Sequence, residues 1–168
     1  MTKTHKKATI IMGPPGIGKT SVAKVLYQRI NASQYIDADD LWRIHPFIVD
    51  DNNKQMVESN IKHLYQTFVD NPNLSHMIFT WVIPHEPLFN LVNEWFHKTD
   101  NTFILLTANK AIYHSRLIKD DRDLSILNDL PAINANYDKM DVKRIDTTEL
   151  TIKQIVDTII SLISEIRH

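Results

Sequence analysis

The chain has 168 residues and only three glycines, Gly13, Gly16 and Gly18. All of them fall in the stretch "TIIMGPPGIGKTSVAKVLYQRI", Thr9 to Ile30. Glycine reaches positive φ without steric cost and leaves the backbone bare of a Cβ. A plain turn from strand to helix needs a single such residue. Spending the whole glycine supply on one turn implies that the backbone curves tightly there and that another group approaches it closely.

"GPPGIGKT" satisfies the pattern G-x-x-x-x-G-K-[ST] at Gly13, Gly18, Lys19 and Thr20. An apolar run, "ATIIMG", precedes it, and Val22, Val25, Leu26 and Ile30 follow at helical spacing. In this context the chemistry is phosphate binding. Bare backbone N–H groups and the positive end of the helix meet phosphate oxygens. Lys19 offers a mobile cation to the β- and γ-phosphates, and the Thr20 hydroxyl can ligate Mg²⁺. Pro14 and Pro15 lack N–H groups and stiffen the loop. The expected nucleotide-binding segment is Gly13, Pro14, Pro15, Gly16, Ile17, Gly18, Lys19, Thr20 and Ser21.

The rest of the chain alternates short apolar runs with helical stripes. Strands are predicted over Ala8–Gly13, Gln34–Asp37, His76–Ile83, Thr102–Ala108 and Met140–Asp146. Met56, Val57, Ile61, Leu64, Tyr65 and Phe68 mark one helix face, and Leu88, Leu91, Val92, Trp95 and Phe96 another. Asp123 is a candidate cap for a helix running through Tyr137, and Thr151 with Gln154 forms a T-x-x-Q capping box. The pattern predicts an α/β fold with a parallel sheet covered on both faces. Substrates of such sheets bind outside the carboxyl ends of the strands.

Composition narrows the class further. A net charge of −1 gives no global field for nucleic acid or an anionic membrane, and no basic stripe is present. No apolar stretch approaches the roughly 20 residues that span a bilayer. With no cysteine, disulfide and thiolate–metal chemistry are excluded. His45, His85 and His114 lack metal-ligand spacing and are expected at the surface or in packing. Residues 1–168 are expected to form one domain, with residues 1–7 a flexible basic tail and the cytosol as compartment.

These features together resemble the small P-loop kinases, among them nucleoside-monophosphate, shikimate and gluconate kinases. The resemblance implies a three-layer P-loop NTPase fold, a five-stranded sheet in the order 2-3-1-4-5, and a mobile lid. It implies ATP as phosphoryl donor, Mg²⁺, and a small acceptor bearing a hydroxyl or phosphate. "YIDADDLWR" is similar to the acidic signature at the end of the second strand, with Asp37 and Asp39 in a D-x-D pattern. By that match Asp37 serves the Mg²⁺ shell and Asp39 meets the acceptor hydroxyl and takes its proton. A second match, to G-D-x-L-R, brings Arg43 to an anionic group on the acceptor. Either Asp39 or Asp40 could instead cap the short helix that follows.

The third strand lacks the usual acid, and Thr80 with Trp81 stands at its end. Both are candidates for the acceptor pocket, and Trp81 equally for the core. The residues between Arg43 and Met56 are expected to complete that pocket. "NKAIYHSRLIKDDRD" resembles the lid stretch R-L-x-x-R, which makes Arg116 and Arg122 the candidate catalytic cations over the γ-phosphate. "PAINANYDK" has no arginine where relatives often carry one. Thr147 and Thr148 either contact the base or serve capping. The leading expectation is a Mg-dependent phosphotransferase; the rival is a nucleotide-binding switch with little transfer activity. Acceptor identity, ATP against GTP, and oligomeric state are open.

Overall fold

The computed structural model describes residues 6–165. The elements run β1 (Lys7–Met12), α1 (Lys19–Arg29), β2 (Ser33–Asp37), a short 3₁₀ helix (Ala38–Trp42), α2 (Asp51–Asp70), β3 (His76–Trp81), α3 (Glu86–Trp95), β4 (Asp100–Thr107), α4 (Lys110–Lys119), α5 (Ile126–Tyr137), β5 (Lys143–Asp146) and α6 (Ile152–Glu165). The five strands form one sheet in the order β2-β3-β1-β4-β5, and every neighbouring pair is parallel.

The sheet is buried on both faces, as its near-continuous apolar strands require. Side chains alternate between the faces along each strand. Ala8, Ile10 and Met12 of β1, with Phe103 and Leu105 of β4, pack with α2 and α3 through Val57, Ile61, Phe68 and Val92. Ile11, Ile78, Ile104 and Leu106 pack on the opposite side with α1, α4 and α6 through Val22, Leu26, Leu117 and Ile159. Helix α5 crosses the edge between them: Tyr137 joins the first cluster and Leu127 and Leu130 the second.

Several boundaries differ from the sequence reading, each for a local reason. The third strand stops at Trp81 because its last partner is Met12, after which β1 turns away at Gly13. The fifth starts at Lys143, not Met140, because the Met140 N–H bonds back to the Tyr137 carbonyl and closes a turn. Asp123 does not cap a helix; it accepts from Ser125 N and Oγ before α5 begins at Ile126. The Thr151–Gln154 box forms as expected, with Thr151 N donating to Gln154 Oε1 at 2.9 Å. The expected tail over residues 1–7 does not include its last two residues. Lys7 is in β1, and Lys6 donates to the Phe68 carbonyl in the last turn of α2 and to the Asn71 and Leu74 carbonyls beyond it. Lys3 lies outside the described residues.

One polar pair sits inside the sheet layer. His76 is 6% exposed, and its Nε2 shares a 2.8 Å hydrogen bond with Thr9 Oγ1. Burial, with a smaller contribution from Lys7, lowers its pKa to about 4. The unfolded chain therefore binds more protons between pH 6.5 and 4, and stability falls as pH drops through that window. Denaturant unfolding should show a loss of about 2 kcal/mol between pH 7 and pH 5 from this group. His76→Gln should flatten that slope; an unchanged slope would assign the acid sensitivity elsewhere.

Candidate active site

The glycine turn lies at the carboxyl edge of the sheet, between the central strand β1 and helix α1. All three glycines have positive φ: 147° at Gly13, 78° at Gly16 and 112° at Gly18. A Cβ at Gly13 would lie 2.8 Å from the Leu106 carbonyl oxygen, and one at Gly16 would lie 2.7 Å from Leu117 Cδ2. Gly18 has open space around it, so there conformation alone selects glycine. It occupies the N-cap of α1 with no side chain to cap it, and the first turn holds no acid. The N–H groups of that turn are left for an anion.

Lys19 is 6% exposed and folds back across the turn, donating to the Gly13 carbonyl at 2.9 Å and the Pro14 carbonyl at 3.0 Å. Burial brings its pKa down to about 8; Asp39 and Asp37 pull it up, and Arg122 pushes it further down. Helix α4 holds the turn from outside. Tyr113 Oη donates to the Pro15 carbonyl at 2.7 Å, and Arg116 Nη1 donates to the Ile17 carbonyl at 3.1 Å.

Asp37 is a hub. Its Oδ2 accepts from Thr20 Oγ1 and from Tyr35 Oη, each at 2.9 Å, while Oδ1 accepts the Asp39 N–H at 3.0 Å. Asp37, rather than Asp39 or Asp40, is thus the cap of the 3₁₀ helix. Tyr35 is read from the sequence only as part of a strand. Its place two residues before Asp37 puts both on one face of β2. Its pKa is raised to about 12, chiefly by burial. The Asp39 carboxyl opens to solvent in the cleft. It is held above the ordinary aspartate value, first by lost solvation and then by the Asp37 charge, against the pull of Lys19 and Arg122. The charges of Lys19 and Arg122 therefore act on Asp39.

Thr20 and Asp37 set two hard oxygen donors side by side. Among the described residues no group of three or more His, Cys, Asp or Glu side chains is arranged to hold a metal. That set suits Mg²⁺, which retains waters and takes its remaining oxygens from phosphate.

The two lid candidates part company. Arg116 is committed to the framework: besides Ile17 it donates to Thr147 Oγ1 at 2.7 Å and to the Thr147 carbonyl at 2.9 Å. Thr147 is fully buried and donates in turn to the Thr107 carbonyl. Thr148 is engaged with Asp146 and the Asn109 N–H. Arg122 is the exposed cation of the pair, with its stem against Gly16 and Asp120 at 3.8 Å. A cavity of about 190 Å³ adjoins the α1 N-terminus, lined by Gly18, Ser21, Arg116, Leu150 and Ile152 among others.

On the other side of the cleft the expectations hold in part. Trp81 lines a cavity of about 360 Å³ with Trp42, Val49, Leu88 and Trp95. Thr80 does not: it is fully buried and lies 3.2 Å from Tyr35 Oη. Adjacent strand residues point to opposite faces, so Thr80 and Trp81 could not share one pocket. Arg43 does not reach the cavity either; its guanidinium is 80% exposed and pairs with Asp40 at 2.7 Å. Of the histidines, His85 caps α3, accepting the Leu88 N–H. Arg144 was not anticipated. It comes from β5 and bonds Asp138 and the Tyr137 carbonyl, beside a cavity that Pro14 also lines.

The two arginines should therefore fail differently. Arg116→Ala strands the Ile17 and Thr147 acceptors and should lower unfolding stability by about 2 kcal/mol. Arg122→Ala should leave the thermal midpoint almost unchanged. Equal effects in calorimetry would contradict this division.

No protein-family model matches the chain, and no curated protein matches it in sequence. Solved structures match its fold. The Deinococcus radiodurans tunicamycin resistance protein has a TM-score of 0.73 at 18% identity, over 94% of this chain and 95% of that one. A sugar kinase from Janibacter sp. HTCC2649 has a TM-score of 0.70 at 14% identity, over 95% of each chain. The Aquifex aeolicus shikimate kinase has a TM-score of 0.65 at 15% identity, over 94% and 96%. Among the described residues no helix is long and apolar enough to cross a membrane. The chain has the fold of the small P-loop kinases, with a parallel sheet ordered 2-3-1-4-5 and a glycine turn at its carboxyl edge.

Proposed function

We propose that the protein is an ATP-dependent phosphotransferase that moves the γ-phosphate to a small acceptor. The observation that carries this reading is the bare glycine turn at the α1 N-terminus, with Lys19 folded across it and Thr20 Oγ1 on Asp37 Oδ2 beside it. Asp39, whose N–H bonds the same Asp37, brings a second carboxylate next to this turn.

The α1 N-terminus and the bare loop backbone cradle the phosphates, and Lys19 exchanges its two carbonyl partners for phosphate oxygens. The cavity beside Arg116 and Ile152 takes the base. Thr20 and Asp37 would hold Mg²⁺, which would neutralise charge on the phosphates. Asp39, its pKa raised by the cleft, orients the acceptor hydroxyl and accepts its proton. Arg122, carried on the connection between α4 and α5, covers the transferring group as that connection closes.

Three measurements test the assignment. Lys19→Ala should weaken ATP binding by about 100-fold or more; binding at wild-type strength would remove the phosphate-loop assignment. Asp39→Asn should keep ATP affinity within about twofold while kcat falls by roughly 100-fold or more, and an intact kcat would exclude Asp39 as the base. Because unliganded Lys19 is largely neutral above pH 8 and a polyanion needs it charged, ATP binding at pH 9 should take up about one proton. Calorimetry in buffers of different ionisation enthalpy reads that uptake, which should vanish at pH 6.5.

A further inference from the structure

The chain has three tryptophans, and all of them, Trp42, Trp81 and Trp95, line the same cavity of about 360 Å³. Val49, Leu88 and Leu91 fill in the wall, and Leu91 is 43% exposed although it lies on the apolar face of α3. The cavity adjoins the reacting cleft. Trp81 is the sheet partner of Met12, the residue before Gly13, and Trp42 ends the 3₁₀ helix that carries Asp39.

The polar groups around this cavity balance one another in charge. Lys54 pairs with Asp51 at 3.7 Å, Glu58 with Lys62, and His85 Nδ1 accepts the Leu88 N–H at 3.2 Å. No arginine lines it. A phosphate or carboxylate entering here would lose its water against a wall whose one lysine, Lys54, is offset by Glu58. A flat apolar body would instead meet indole faces. The rim continues the same chemistry: Phe47 is 67% exposed and its ring meets Trp42 edge-on, beside exposed Ile48.

We propose that the acceptor is an uncharged small molecule with a hydroxyl group and an aromatic or similarly broad apolar body. It sits among the three indoles with its hydroxyl at Asp39. The cavity is of ordinary size for such a ligand. This inference rests on the phosphotransferase reading. In the step, the acceptor oxygen bonds to the γ-phosphorus as the bond from that phosphorus to the β-bridging oxygen breaks. The hydroxyl proton passes to Asp39 and then to water, and ADP departs.

The test uses γ-labelled ATP, Mg²⁺ and two acceptor pools, one of neutral aromatic and alicyclic alcohols, the other of nucleoside monophosphates and sugar acids. Tryptophan emission is followed in parallel with p-nitrobenzyl alcohol and p-nitrobenzyl phosphate as quenching probes. Label should enter the neutral pool, and the alcohol should bind at least about tenfold more tightly than its phosphate ester. Trp81→Ala should raise the acceptor KM about tenfold with ATP affinity unchanged. Leu91→Asp, at an exposed site that tolerates a polar residue, should do the same without threatening the fold. Label in the acidic pool, or an acceptor KM within about twofold of wild type in both variants, overturns the inference and leaves the kinase reading standing. If neither pool is labelled but the alcohol still binds preferentially, the pocket chemistry stands and the transferase reading falls. If neither label nor preferential binding is seen, the inference fails.

Discussion

One buried ammonium group organises the carboxyl edge of the sheet. Lys19 is almost fully enclosed, and two loop carbonyls and the fields of Asp39 and Asp37 keep it tolerable there. A buried cation is costly unless it is paired and hydrogen-bonded. With its pKa near 8 rather than 10.5, it destabilises the fold below pH 8, and that burden eases as pH rises toward 10.5. The strain is stored where a polyanion would relieve it.

The surrounding bonds form a hierarchy around that cation. Tyr113 and Arg116 tie the loop carbonyls to α4, and Arg116 also ties α4 to the turn after β5 through Thr147. Thr147 in turn reaches the end of β4. The loop, α4, the turn after β5 and the end of β4 are thus fixed to one another. Asp37 plays the corresponding part for β2, joining α1, Tyr35 and the 3₁₀ helix. Its capping duty and its place beside Thr20 are compatible because its two oxygens divide the work.

Much of this was legible in the chain. The glycine turn could be read because positive φ and close backbone approach leave a compositional mark, and alternating apolar runs located the five strands. Strand order carries no local signal and came only through family resemblance. The separation of Arg116 from Arg122 was hidden because which guanidinium is consumed by backbone acceptors depends on contacts with Ile17 and Thr147, distant in sequence. Thr80 and Trp81 were assigned together although pleat parity forbids it, an error the sequence itself could have prevented. Trp42, Trp81 and Trp95 are 53 residues apart end to end, and nothing local announces that they meet.

That parity has a wider consequence. Thr80, Tyr35 and Asp37 face the α1 side of the sheet, where Asp37 meets Thr20, while Trp81 faces the side covered by α2 and α3. The backbone of β3 is therefore a partition one residue thick between two differently lined sides. Sequence drift on the tryptophan side meets a different set of neighbours from drift on the threonine side. A lineage built on this sheet could rewrite one lining through alternate positions and leave the other untouched.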